Sequence, residues 1–304
     1  MRNLILLGFV GLLAQLIDGS LGMAYGVTSS TMLLAVGIAP AAASAAVHFS
    51  EVGTTLVSGA AHWKLGNVDW RTVGILAFPG GVGAYFGAVF LSNLDGDVAK
   101  PWVALLLASL GGYVLWRFLR LGGRRPQFAG RLSAYFLAPL GVVAGVMDAI
   151  GGGGWGPVGT TSLLSSGRLE PRKVVGSVDT AEFVVAVGGS IGFLTALGSE
   201  GINFGWAAAL LVGGVIAAPI AAWLVKHLAP RVLGVAAGGL IIVTNAKTLL
   251  ESGWIGLAPN SSTVFLIVSL LAVAWVSLIG AAVQAERAIR RREQAGQQVD
   301  VAPV

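Results

Sequence analysis

Long apolar runs separated by short polar segments dominate the chain. The runs cover residues 4–37, 42–61, 72–92, 101–117, 133–166, 174–197, 204–225, 232–250 and 263–284. Seven of them have an ordinary single-span length, close to the ~20 residues that a transmembrane helix needs. The pattern therefore predicts an all-α polytopic membrane protein.

Two of the runs are too long for one span, and each is interrupted. Both have 34 residues, with IDGSLGMAYG at 17–26 in the first and MDAIGGGGWGP at 147–157 in the second. Each glycine costs a helix about 1 kcal/mol, so we expect the helix to break there and to restart near 23–26 and 155–158. Arms of about 14 residues would then measure ~21 Å. Because the hydrocarbon core is ~30 Å thick, the sequence predicts re-entrant hairpins whose tips stop inside the bilayer.

The basic residues fit this arrangement of two hairpins and seven spans. It brings 16 of the 19 Lys and Arg residues to one face and leaves Arg2, Lys100 and Lys247 on the other. Cytoplasmic loops collect Lys and Arg. We therefore expect a multi-pass protein of the cell (inner) membrane, with its N-terminus outside and its C-terminus cytoplasmic.

Composition excludes several classes of protein. Hydrophobic residues make up 55% of the chain and charged residues 11%, against about 25% charged residues in a soluble domain. The absence of Cys excludes thiolate catalysis and disulfides, and three His argue against a histidine metal site. The chain contains no P-loop, H-E-x-x-H or G-x-S-x-G motif. We expect no enzyme and no cofactor, and we attribute the net charge of +5 to cytoplasmic loops rather than to nucleic-acid binding.

The two halves of the chain match at a spacing of 130–131 residues. The matched pairs are Gly22 and Gly152, Gly26 and Gly156, Pro40 and Pro171, Glu51 and Glu182, and Arg117 and Lys247. Each unit is one broken hairpin plus three spans, and three crossings give the two units opposite orientations. This is the inverted-repeat plan of secondary transporters.

The repeat divides the chain into five parts. We expect a first transmembrane repeat at 1–120, a basic cytoplasmic linker at 121–132, a second repeat at 133–250, one additional helix at 263–285 and a cytoplasmic tail at 286–304.

The glycine-rich segments carry a resemblance to a known family. The second half reads GVVAGVMDAIGGGGWGPVGTTSLL at 141–164, and the chain over about 4–250 resembles the sulfite exporter TauE/SafE family of membrane permeases. The first half, GSLGMAYGVTSSTMLL at 19–34, lacks two of the glycines and the proline. That departure concerns the substrate more than the fold. The resemblance implies export of sulfite, organosulfonates or related small anions.

The hairpin tips supply the candidate substrate-binding residues. A restarting helix offers unpaired N–H groups and a positive dipole end, and glycine lets an anion approach the backbone. Hydroxyl and aromatic side chains follow closely. The candidates are Gly22, Tyr25, Gly26, Ser30, Gly152, Gly153, Gly154, Trp155 and Thr160. The competing interpretation is that the glycines serve helix packing and that the hydroxyls bond to their own helix.

Five acidic residues inside apolar runs are candidates for proton coupling or gating. They are Asp18, Glu51, Asp148, Asp179 and Glu182. A charge at membrane depth costs about 2.5–3.5 kcal/mol or more, so these side chains should face the protein interior. Each glutamate has an ionisable residue three positions earlier, which shares its helix face. The alternative role is structural, and Asp18 and Asp148 at the breaks are also placed to cap the restarting helices.

The residues together favour a secondary transporter of small sulfur-containing anions, with alternating access around the two tips. The alternative is a cation or metal ion transporter that uses the buried carboxylates. A small anionic substrate and the lipid bilayer are the expected partners. Formation of a homo-oligomer stays open.

Overall fold

The protein is all-helical in a computed structural model that describes residues 2–21, 25–120, 131–166, 168–169, 171–224 and 230–294. No strand occurs within these ranges. Gly22 and most of the predicted linker and tail lie outside them.

Each run that was predicted as a single span forms one helix. These helices are α3 (Pro40–Lys64), α4 (Trp70–Ser92), α5 (Gly96–Leu119), α8 (Pro171–Leu197), α9 (Phe204–Leu224), α10 (Pro230–Leu250) and α11 (Ser262–Gln294). The two long runs are broken, as predicted. The first comprises α1 (Arg2–Leu21) and α2 (Tyr25–Ala35), and the second comprises α6 (Ala134–Gly151), a π-helical turn (Trp155–Thr160) and α7 (Thr161–Ser165).

Five helical segments are long and apolar enough to cross a membrane, as judged on the described residues. They are α4, α5, α6, the part of α8 from Lys173 to Leu197, and the part of α11 from Ser262 to Ile289. Exposed tryptophans pair edge to face at two places. Trp63 at the end of α3 packs on Trp70, and Trp102 near the start of α5 packs on Trp254. Such amphipathic rings are typical of membrane–water interfaces.

The breaks lie later in the runs than the sequence predicted. The restart positions, Tyr25 and Trp155, agree with the expectation, but the predicted equal arms of about 14 residues are wrong. The first arms have 20 and 18 residues, whereas α2 has 11. The helix continues through the acid and its neighbouring glycines because a carboxylate that caps the next segment must sit inside the preceding one. The return arm α2 is then ~16 Å long, too short to cross a bilayer.

The helices pack in pairs that bury small residues. The first arm of each hairpin lies along a helix of the other half or of its own half: α1 against α9 and α6 against α4. α5 lies against α10, and α3 against α8. A Cβ added at Gly83 of α4 would meet the carbonyl oxygen of Val142, and one at Gly213 of α9 would meet that of Gly8. Close backbone approach at small residues is the packing mode of membrane helices.

These backbone contacts give a stability prediction with a control on the same helix. We expect Gly83→Ala to destabilise the protein by about 1–3 kcal/mol, because the new methyl group meets the backbone of α6 and the helices must separate. A Cβ at Gly74, also on α4, meets no atom within 4 Å. Gly74→Ala should therefore be neutral or mildly stabilising. Thermal unfolding of the two purified variants measures this, and equal behaviour would contradict the packing.

Candidate functional site

The carboxylate of Asp148 organises the second break. Its Oδ1 accepts hydrogen bonds from the backbone N–H groups of Gly154, at 2.7 Å, and Trp155, at 2.9 Å. Between them the chain turns through Gly152, whose φ of +64° is a left-handed conformation that favours glycine. The cap satisfies backbone donors that the end of one helix and the start of the next leave without partners.

The first break repeats this arrangement. Oδ1 of Asp18 accepts from the backbone N–H of Tyr25 at 3.1 Å, seven positions later, as Asp148 does from Trp155. The phenol of Tyr25 lies 3.1 Å from Oγ of Ser50 and donates to the carbonyl of Leu210 in α9 at 3.3 Å. The capping role that the sequence offered as an alternative for both aspartates is thus present. It also means that these N–H groups are already occupied in this conformation.

The two tips contact each other, as their repeat relation predicted. A Cβ at Gly26 would meet the carbonyl oxygen of Gly152, and one at Gly153 would meet the backbone of Gly26 and Val27. Oγ of Ser30 donates to the carbonyl of Gly152 at 3.0 Å. Backbone approach this close requires that both tips carry glycine. The contact lies at the level of Glu51, near the middle of α3, since Oε1 of Glu51 would be 2.8 Å from a Cβ at Gly26.

His48 joins α3 to the second tip. Its Nδ1 lies 3.0 Å from the carbonyl oxygen of Ser44, which only accepts, so Nδ1 carries a proton. Its Nε2 lies 3.3 Å from Oδ2 of Asp148, and both side chains are buried. A contact between these two atoms needs one shared proton, held either by the imidazole or by the carboxyl group. In both states the pair is neutral overall. Ser44 also anchors α6, since its Oγ donates to the carbonyl of Ala149 at 2.6 Å.

Glu51 lies beside this pair without a hydrogen-bond partner. The residue is 1% exposed, and within the described ranges neither carboxyl oxygen is hydrogen-bonded. One ligand atom each from His48, Glu51 and Asp148 lie within 4.8 Å of one another. A buried, unpaired carboxylate is costly. This side chain is therefore placed to hold a proton or to contact a ligand.

The other two acids lie on α8, which packs against α3. Asp179 and Glu182 are only partly buried, in contrast to Glu51. Glu182 lies within electrostatic range of Glu51, Asp148, Asp18 and Asp179. The structure thus brings all five predicted acids into one region, and the pair on α8 forms its more exposed side.

The predicted hydroxyl and aromatic residues have different surroundings. Oγ1 of Thr28 and Oγ1 of Thr160 are buried and, in the part of the chain that the structure describes, make no hydrogen bond. Trp155 is fully buried, and its Nε1 donates to the carbonyl of Val178 at 2.9 Å. Tyr25 is similarly enclosed. The two aromatic rings therefore wall the site, while the free hydroxyls are available to a ligand.

Sequence reasoning missed the part that Ser44 plays. Ser44, His48 and Glu51 share one face of α3 at helical spacing, and this signal was available. The partner across the interface, Asp148, was not predictable from spacing because the contact joins residues 100 positions apart.

Comparison with known proteins assigns the family. Residues 7–248 match the family described as "Sulfite exporter TauE/SafE". The chain belongs to this family. The resemblance seen in its glycine-rich segments is therefore confirmed, and the matched range includes both hairpins and six further helices.

Two relatives of this TauE/SafE member come from Bacillus subtilis (strain 168). One, named "Probable membrane transporter protein YtnM", is 54% identical over 282 residues, which cover 92% of each chain. The other, "Probable membrane transporter protein YdhB", is 28% identical over 193 residues, 63% of this chain and 74% of the relative. No solved structure matches. The protein is a multi-pass membrane transporter, and its relatives are named as transporters rather than enzymes.

The double role of Asp148 gives a testable difference between two substitutions. Asp148→Ala leaves the N–H groups of Gly154 and Trp155 buried without an acceptor, at about 1–3 kcal/mol for each. Asp148→Asn keeps an acceptor oxygen and offers an N–H to a neutral His48. We expect a large drop in unfolding temperature for the alanine variant and a small one for the asparagine variant. Equal drops would mean that the charge, not the cap, holds the break.

Proposed function

We propose that the protein exports sulfite or related small sulfur oxyanions and that the two contacting tips form the binding site. The family description supports the substrate class. The observation that carries the proposal is the contact of the two breaks beside buried polar groups without partners, Thr28, Thr160 and Glu51. Hydroxyl groups donate hydrogen bonds to an oxyanion without adding charge. The inner membrane, with the N-terminus outside, is the proposed location and orientation.

Electrostatics then requires that the anion binds together with a proton. Two like unit charges 4 Å apart repel by about 4 kcal/mol at an effective dielectric constant of 20, which weakens binding about a thousandfold. An ionised Glu51 therefore excludes an anion. A protonated Glu51 is neutral and donates its O–H to a substrate oxygen. Since the His48–Asp148 pair is neutral as well, the site accepts an anion when Glu51 carries a proton.

Asp179 and Glu182 provide a route for that proton. They lie on the more exposed side of the acidic region, on the helix that packs against α3. Glu182 is also the repeat partner of Glu51. We infer that Glu182 exchanges a proton with Glu51 and that Asp179, one turn away, shares it.

Alternating access in this proposal uses an inverted repeat. The packing supports it, because α1 meets α9 as α6 meets α4, and these pairs are exchanged by the 130-residue spacing. The backbone contacts agree in detail. Gly83 lies against Val142, and Gly213 lies against Leu12, each residue 130 positions from its counterpart. Two similar halves of opposite orientation can open the same site to either side in turn.

One observation favours transport of a cation instead. His48, Glu51 and Asp148 together offer one nitrogen and two carboxylate oxygens within 4.8 Å. This is a donor set that binds divalent transition metals. In that case Glu51 would be ionised, and the site would exclude anions.

Flux into proteoliposomes separates the two functions. We expect sulfite to move down its gradient, faster when the side it leaves is more acidic, and divalent cations not to move. Gly153→Val should abolish sulfite flux, because its side chain would meet the backbone of Gly26 and Val27 and push the tips apart. Flux of divalent cations without sulfite flux would favour the alternative and contradict the proposal.

The proton route has its own test at clamped voltage. We expect Glu182→Gln to make sulfite flux insensitive to an imposed pH gradient, because the amide cannot carry a proton, while sulfite binding survives. Glu51→Gln should bind sulfite with little dependence on pH, because the amide resembles the protonated acid. Glu200→Gln, on an exposed turn, is the matched control. If wild-type flux ignores the gradient, the coupling is wrong and the glutamates are structural.

A further inference from the structure

A polar cavity lies at the end of α2, away from the tips. Its volume is about 420 Å³, and it opens between the last turn of α2, the first turns of α5 and the last turns of α10. Its lining includes Lys100, Thr244, Lys247, Thr248 and Glu251. We call this cavity the lysine vestibule. Lys100 and Lys247 belong to the face that the charge distribution predicts to be outside.

A hydrogen bond between two helices closes the floor of the vestibule. Asn245 on α10 is 1% exposed, and its Nδ2 donates to Oγ1 of Thr31 on α2 at 2.9 Å. Thr31 lies one helical turn before Leu34 and Ala35, which line the vestibule. Asn245 is next to the lining residue Thr244.

Below this bond the same helix leads to the tips. Thr28, with its buried and unpartnered hydroxyl, lies one turn below Thr31. Ser30 bonds to Gly152 of the second tip. From the vestibule to Tyr25 the path follows α2 for ~16 Å. The Thr31–Asn245 bond is therefore the constriction between the vestibule and the proposed binding site.

The other half of the repeat has no matching bond. The positions 130 residues away are Leu115, in place of Asn245, and Thr161, in place of Thr31. Leu115 has no polar side-chain atom, and the hydroxyl of Thr161 donates to Pro157 of its own segment. The fold does not require a polar bond at this position, since the related position forms without one.

We propose that the lysine vestibule admits small anions between the tips and the non-cytoplasmic side, and that the Thr31–Asn245 hydrogen bond is its gate. The proposal rests on the proposed anion transport. Lys100 and Lys247 attract an anion to the mouth, where Lys247 also lies 3.8 Å from Glu251. Opening the gate separates α2 from α10 and exposes the hydroxyl of Thr28.

Single cysteines test the vestibule, because the chain has none of its own. Thr248→Cys should react from outside the cell with an anionic, membrane-impermeant methanethiosulfonate. Adding Lys100→Gln should slow that reaction about fivefold and leave the reaction with a cationic reagent unchanged or faster. Lys64→Gln, at the other end of α3, is the matched control. Reaction of Thr248→Cys only from the cytoplasmic side would overturn the proposal.

A deeper cysteine tests the gate. Thr28→Cys should react slowly from outside, and about two- to tenfold faster when Thr31→Val or Asn245→Ala removes the bond. Thr195→Val removes a hydroxyl that bonds only to its own helix, and it should leave the rate unchanged. If the gate variants lower the unfolding temperature but do not change the labelling rate, the bond is interhelical packing and the gate is wrong. Labelling needs no transported substrate, so a failure of sulfite flux would not affect this result.

Discussion

Broken helices inside a membrane protein depend on one constraint, which is that backbone groups freed by the break must find partners within the protein. Here two buried carboxylates meet it. Asp18 and Asp148 each lie at the end of the entering arm and accept hydrogen bonds from the first N–H groups of the returning segment. Without these caps, the glycines of both tips would have no defined conformation in which to contact each other.

The caps also determine which groups remain for chemistry. Because Oδ1 of Asp148 is used by the backbone, only Oδ2 faces His48, and that geometry fixes the total proton count of the pair. The neighbouring Glu51 has no such partner. A structural carboxylate and an ionisable one therefore lie side by side in the same apolar surroundings, and the hydrogen bonds of each, rather than its depth, distinguish their roles.

Local rules predicted the elements and the restart points well, because hydrophobic run length and glycine density act within one segment. The seven single helices and the restarts at Tyr25 and Trp155 follow from them. The exact break did not follow, since its position depends on how far a capping side chain reaches. Contacts such as Ser44 with Ala149, or Asn245 with Thr31 across 214 positions, depend on helix packing that no local pattern encodes. The site was thus predictable as a set of residues and not as a network.

The last helix is attached in a different way from the others. In its most apolar stretch 6% of residues are buried, against 39–50% in the other four candidate spans, and it packs mainly on α10. The lipid, rather than the protein, solvates most of α11. Its detachment would break few contacts, so hydrogen exchange should reveal it as a separate, less stable folding unit. The rest of the helices can therefore assemble during synthesis before α11 has entered the bilayer.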